Sequence, residues 1–218
     1  MSESIQERFQ IGASYTIGTH LLPGEPIETI HEQVNQRIKI TIAPCDEIIK
    51  ALKEDKIDLG FIESPLFDDA LKYTLWQEDE MVLCAKKQLP ATLSKDDLQS
   101  CRLVCYEKGS TQRTFIEDFL ADQGVSLNDF NAISEVNNET AIIQSIKWSR
   151  PNASISAVAI VSKLAIEYEL KYNDLYASSI YNQNIHKKLY IVYKENATQS
   201  NTIDEMIKEL LAIENKPL

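Results

Sequence analysis

No run of about 18 apolar residues occurs anywhere in the 218-residue chain, which excludes a membrane-spanning helix. The opening residues, Met1 to Arg8, are polar and include Glu3 and Glu7. They are not a secretory signal peptide, and a cytoplasmic location is expected. Basic residues are the minority: 22 Lys and Arg stand against 33 Asp and Glu, a net charge of −11. Neutralising DNA phosphates takes clustered Lys and Arg, and neither a basic stripe nor a recognition helix is visible. The chain by itself is therefore not expected to contact DNA. Cysteine is sparse, at Cys45, Cys84, Cys101 and Cys105, with no Cys-x-x-Cys pair that would suggest zinc. Without a secretory signal these thiols are expected to be reduced. Cys101 and Cys105 fall in an extended stretch where four residues span roughly 13 Å. A disulfide needs Cα atoms within about 7 Å, so the two are not expected to pair. The three histidines, His20, His31 and His186, are scattered and suggest neither a metal site nor a catalytic triad. There is no Gly-rich phosphate loop and no nucleophile elbow. No metal or cofactor is expected.

What is present is an ordinary globular composition, 44% hydrophobic and 25% charged, in a chain long enough to bury one or two cores. The stretch Phe9 to Pro23 organises the rest. Phe9, Ile11 and Ala13 alternate with Gln10 and Gly12 as in a short strand, with Gly12 allowing a backbone to come close. Ser14 stands where a helix N-cap belongs, and Tyr15 to Leu22 can form a helix that Pro23 and Gly24 interrupt. A strand ending at a helix N-terminus offers unpaired N–H groups and a positive dipole end to an anion.

The pattern then repeats. Helical spacing covers Pro26 to Val34, and Ile38, Ile40 and Ile42 alternate as a strand. Asp46 is a plausible cap for a helix through Glu54, and residues 57–62 form a third strand. Two helical crossovers between three strands make a parallel sheet. Ligands of such sheets bind at the carboxyl ends of the strands, which places Ser14 to Thr16, Cys45, Glu63 and Ser64 on one rim. Extended segments at 75–85, 103–106, 133–136 and 158–161, with helices at 111–122, 138–148 and 163–169, form a second half of the same kind. In it Ser110 and Asn137-Asn138 are helix caps. Strands at 175–180 and 188–193 and an amphipathic helix over 201–213 complete the chain. The reading is an α/β fold of two βαβ-type subdomains joined by two crossover segments: residues 9–84 with 186–218, and residues 85–185, after a short segment 1–8.

Residues Ile11 to Pro23 match "IGAS-x-TIG-x-x-LLP" almost without departure, and this form resembles the opening of the effector-binding domain of LysR-type transcriptional regulators. Leu52-Lys-x-x-x-Ile57-Asp-Leu-Gly60, the strand Glu78 to Leu83 and Gly109-Ser-Thr-Gln-Arg113 are similar to later family motifs in the same order. The family's "G-x-G-I-A-x-L-P" is only partly kept at Ser156 to Ser162, where Ser162 replaces the proline. The resemblance implies a type II periplasmic-binding-protein-like fold that closes at its crossovers around an effector in the cleft between subdomains; two helix N-termini, at Ser14–Thr16 and Ser110–Thr111, and the lack of an aromatic box make a small polar anion the expected effector. The resemblance implies ligand contacts from Ser14 and Thr16; the strand-end topology adds Tyr15, Cys45, Glu63, Ser64, Glu107, Ser110, Thr111, Asn137 and Asn138 as candidate contacts. The resemblance also implies a homodimer, with the helix at 26–34 facing the partner's helix at 111–122, and a tetramer in the full-length protein. DNA would be bound only by a winged helix-turn-helix preceding Phe9, with residues 1–8 a linker remnant or added residues. The rival readings are a free-standing solute-binding protein of this fold and an enzyme. The enzyme lacks an acid–base or nucleophile constellation. The acidic run Glu78-Asp79-Glu80 reads as a solvated face, and Cys45 as a small hydrophobe on the rim.

Overall fold

The computed structural model describes residues 8–34, 36–63, 67–180, 185–195 and 200–213. It divides into two units, one comprising the described residues up to Asp79 and from Lys187 onward, the other running Glu80–His186.

The first unit begins with β1 (Arg8–Ala13), α1 (Glu25–Val34), β2 (Arg37–Ile42), α2 (Cys45–Lys53) and β3 (Leu59–Ile62). β1 lies between β2 and β3 and is parallel to both, so the crossovers build the parallel sheet expected from the sequence. Ile48, Ile49 and Leu52 turn one face of α2 inward, while Asp46 and Glu47 in its first turn and Lys50 and Lys53 in its last complement the helix dipole. The helix starts at Cys45, two residues earlier than a cap at Asp46 would give. Pro44 therefore occupies the cap position and Asp46 caps nothing. Gly12 and Gly60 face each other across β1 and β3. A Cβ on Gly12 would lie 2.6 Å from Ile57 and 3.1 Å from Ile48; one on Gly60 would lie 2.9 Å from Leu52 and 3.0 Å from Ile48. The close neighbours are side chains of α2 and the turn after it, not the backbone expected at Gly12. The glycine pair is a groove that seats Ile48.

β4 (Lys72–Ala85) runs from the first unit into the second. There follow β5 (Thr92–Leu93), α3 (Lys95–Leu98), β6 (Cys101–Tyr106), α4 (Thr111–Asp122), β7 (Ala132–Val136), α5 (Glu139–Lys147), β8 (Ser156–Ser162), α6 (Glu167–Lys171) and β9 (Tyr176–Ile180). β6 is parallel to β7 and β8, which repeats the βαβ arrangement; β4 is antiparallel to β8 and β9. All seven residues of β8 are buried, as suits a strand covered on both faces. α4 stops at Gly124, whose φ of +68° is a left-handed conformation that glycine adopts without strain. The helix expected over 163–169 is broken into a 3₁₀ turn at Leu164–Ile166 followed by α6.

β10 (Ile185–Tyr193) returns the chain to the first unit antiparallel to β3, and α7 (Ser200–Ala212) buries Ile203, Met206, Ile207 and Leu210. Asp79, in the acidic run read as solvated, is only 1% exposed. It shares a face of β4 with Met81 and Leu83, and strand alternation overrides the local charge. Among the described residues, no helix is long and apolar enough to cross a membrane.

Candidate functional site

In the first unit β1 and β3 end together: Ser14 donates its N–H to the Phe61 carbonyl at 2.9 Å. Glu63 directly follows β3. Lys187 sits near the start of β10, which meets β3 from its carboxyl end because the two are antiparallel. Ser14 Oγ donates to Glu63 Oε1 at 2.7 Å, and Lys187 Nζ donates to Glu63 Oε2 at 2.9 Å. The Thr16 hydroxyl also bonds the Glu63 carboxylate. Ser14, Thr16, Glu63 and Lys187 are 1, 2, 4 and 5% exposed. Burial alone would raise the Glu63 carboxyl. The Lys187 charge and the hydrogen bonds from Ser14, Lys187 and Thr16 outweigh it and hold the group below its ordinary range.

Three residues predicted for this rim, Ser14, Thr16 and Glu63, thus converge, but on one another. Ser14, expected as a helix cap, instead directs its hydroxyl proton to a side chain 49 positions away. The segment after it forms a single helical turn and then a π-helix at Ile17–Leu21, where no side chain caps. Tyr15 is 46% exposed and takes no part in the cluster. Cys45 is half-buried at the first position of α2. Ser64 lies outside the described residues. Lys187 was not foreseen, although continuing the alternation of Leu189, Ile191 and Tyr193 two residues back would have put it on the buried face.

In the second unit Glu107, Ser110, Thr111, Asn137 and Asn138 occupy the loops after β6 and β7. Ser110 caps α4 by accepting the Arg113 N–H at 3.2 Å, and its own hydroxyl donates to the Glu107 carbonyl at 3.0 Å. The Glu107 N–H donates to the Val136 carbonyl at 3.1 Å, which ties the two loops together. Asn138 caps α5 through the Ala141 N–H at 2.8 Å and donates its amide to Asn137. Glu107, Thr111 and Asn137 are exposed. Replacing the cap, Asn138→Ala, is expected to lower stability by about 1 kcal/mol in urea unfolding.

Two buried charged groups behind this rim were not among the predicted site residues. Arg113, 5% exposed, donates to the Tyr106 carbonyl at 2.7 Å, to Cys105 Sγ at 3.0 Å, to Glu135 at 3.1 Å and to Glu117 at 2.8 Å. Glu139 accepts the Ser162 N–H at 3.1 Å, and the Ser162 hydroxyl accepts the Ala165 N–H. Ser162, standing where the family motif has proline, thus supplies both an N–H and a cap. All four cysteines are free. Burial pushes the Cys84 thiol up to about 12 and raises Cys105 despite the opposing charge of Arg113, so both are protonated thiols at neutral pH. Among the described residues no group of three or more His, Cys, Asp or Glu could hold a metal.

The sequence profile of the LysR substrate binding domain matches residues 2–213. The chain belongs to that family. The LysR-type relatives include a probable RuBisCO transcriptional regulator of Porphyra purpurea, 28% identical over 211 residues, covering 93% of this chain and 64% of that protein. The HTH-type transcriptional regulator CysL of Bacillus subtilis (strain 168) is 24% identical over 213 residues, covering 94% of this chain and 68% of that protein. The chain spans about two thirds of the length of these regulators. Among solved structures, the regulatory domain of Synechocystis PCC6803 CcmR in complex with 2-PG superposes with a TM-score of 0.76 at 16% identity, over 98% of this chain and 100% of that one. The reduced form of OxyR gives 0.71 at 15% identity, over 95% of each chain. The LysR effector-binding domain and its periplasmic-binding-protein-like fold, expected from the opening motif, are thereby established for this chain.

Proposed function

We propose that this LysR effector domain senses a small polar anion and that the full-length regulator converts the binding event into a change in DNA binding and transcription. The observation that carries the reading is the first unit's rim, where Ser14, Thr16 and Lys187 already hold a carboxylate group. Those donors suit a ligand carboxylate or phosphate equally well. The CcmR regulatory domain crystallised with 2-PG supports a small effector. Further proposed contacts are Tyr15 and Cys45 in the first unit and, in the second, Glu107, Ser110, Thr111, Asn137 and Asn138, with Ser110 and Thr111 at the start of α4. The protein acts in the cytoplasm as a regulator, not an enzyme, and meets DNA only through a separate winged helix-turn-helix.

A thermal-shift panel of small phosphorylated and carboxylated metabolites tests this reading, since a ligand of the folded state at 100 times its Kd adds about 2.7 kcal/mol of stability. For the best hit, Thr16→Val is expected to weaken binding about 10-fold or more by calorimetry, the loss of one hydrogen bond to a charged group. Unchanged affinity in the folded variant would place the ligand elsewhere.

The domain is proposed to pair with a second copy, α1 facing α4 of the partner. The outer strands support this: Ile40 and Ile42 on β2 and Ile133 on β7 are 39, 41 and 40% exposed, apolar side chains on edges that a partner would cover. Light scattering is expected to give the dimer mass at micromolar concentration; a monomer throughout would sink the pairing.

A further inference from the structure

The geometry points to Glu63 as a resident occupant of the first unit's anion position, one that an anionic effector must displace in order to bind. This rests on the anionic reading above and concerns how that site is regulated. Ser14 Oγ serves one carboxylate oxygen and Lys187 Nζ the other, with Thr16 joining them, so the donors a bound anion would use converge on a side chain of the protein itself. A serine hydroxyl has one proton, and that of Ser14 is committed to Glu63 at 2.7 Å. While Glu63 stays, Ser14 can only accept, and a second anion beside it would meet a like charge. When Glu63 leaves, the same donors, with the positive charge of Lys187 among them, are turned toward the position an anion would take. Glu63 therefore has two effects. It keeps Lys187 paired in the unliganded domain. It also sets a threshold: only a ligand group that replaces a full negative charge completes the swap, and neutral polar metabolites are rejected.

Inorganic sulfate, which does not titrate near neutral pH, serves as the probe. Titrated into the purified chain, it is expected to bind Glu63→Gln at least about 10-fold tighter than wild type, read by calorimetry and by the rise in unfolding temperature. In the wild-type protein labelled with ¹³C, saturation with sulfate is expected to move the Glu63 carboxyl resonance to that of a solvated carboxylate. Equal affinity in the two proteins, with an unmoved carboxyl resonance, overturns displacement while leaving the anion reading in place. No binding by either protein overturns both. Binding by the variant alone supports the proposal. Should Glu63→Gln fail to fold, Glu63→Asp decides. It keeps a charge for Lys187 but is one methylene too short to serve Ser14 and Lys187 together. Tighter sulfate binding by it supports displacement, and unchanged binding overturns it.

Discussion

Lys187→Met is expected to destabilise the domain by about 3–5 kcal/mol, because it leaves the Glu63 carboxylate buried without its ion-pair partner. The two side chains are 4% and 3% exposed, so water does not solvate the carboxylate where it stands. The double variant Glu63→Leu with Lys187→Met removes both charges and is expected to recover most of that loss. It should fall short of wild type by about 1–2 kcal/mol, since Ser14 and Thr16 lose their acceptor. Urea unfolding of the two single variants and the double variant closes the cycle. A double variant as unstable as Lys187→Met alone would refute the argument. The pH dependence has a definite sign. The folded-state carboxyl of Glu63 is held below its ordinary value of 4.5, so its contribution is fully present above that value and is lost as pH falls through the lower folded value. Between about pH 5 and pH 3 the wild-type domain should therefore lose more stability than the double variant.

Arg113→Met is expected to cost about 2–3 kcal/mol. The guanidinium anchors the start of α4 to the end of β6 through the Tyr106 carbonyl and Cys105, and a methionine of similar reach leaves that carbonyl without its charged donor. By contrast, Glu117→Gln and Glu135→Gln should each cost under about 1 kcal/mol, since these carboxylates are 42% and 47% exposed and solvent replaces the pair. Chemical unfolding of the three variants checks the ranking. An arginine variant no worse than the glutamine variants would show that the Tyr106 and Cys105 contacts contribute little.

The fold was legible in the sequence because its strands and helices alternate with clean periodicity and its caps are strong. Asn138 and Ser110 cap where their chemistry says they should, and Gly124 ends α4 in the one conformation that favours glycine. What escaped depends on register between distant strands. The pairing of Gly12 with Gly60 cannot be read from either strand alone, and it decides what the glycines are for. Lys187 precedes the stretch whose alternation is plain from Lys188 onward, and β10 starts three residues earlier, at Ile185. Asp79 sat in a run of three acidic residues, and local charge concealed that strand alternation turns it inward. The candidate site was half visible. Topology puts Ser14, Thr16 and Glu63 on one rim, but it does not show that Glu63 accepts from the other two, nor that a lysine 124 positions further along the chain pairs with it.

That sequence separation bears on how the protein is made. The second unit is one uninterrupted stretch, Glu80–His186, inserted into the first. During synthesis its sheet can close as soon as it has emerged, whereas the first unit must wait. β3 lacks its antiparallel neighbour until β10 has been translated, and Glu63 lacks its ammonium for just as long. The nascent first unit therefore carries an uncompensated carboxylate and an open strand edge while the insert is produced. Bringing residues 124 positions apart together by a free loop would be slow. A prefolded insert shortens that search, because the chain entering and leaving it no longer behaves as a long flexible loop. The nesting of the chain favours one order of assembly: the inner unit first, then β10 with its ion pair, and α7 after both.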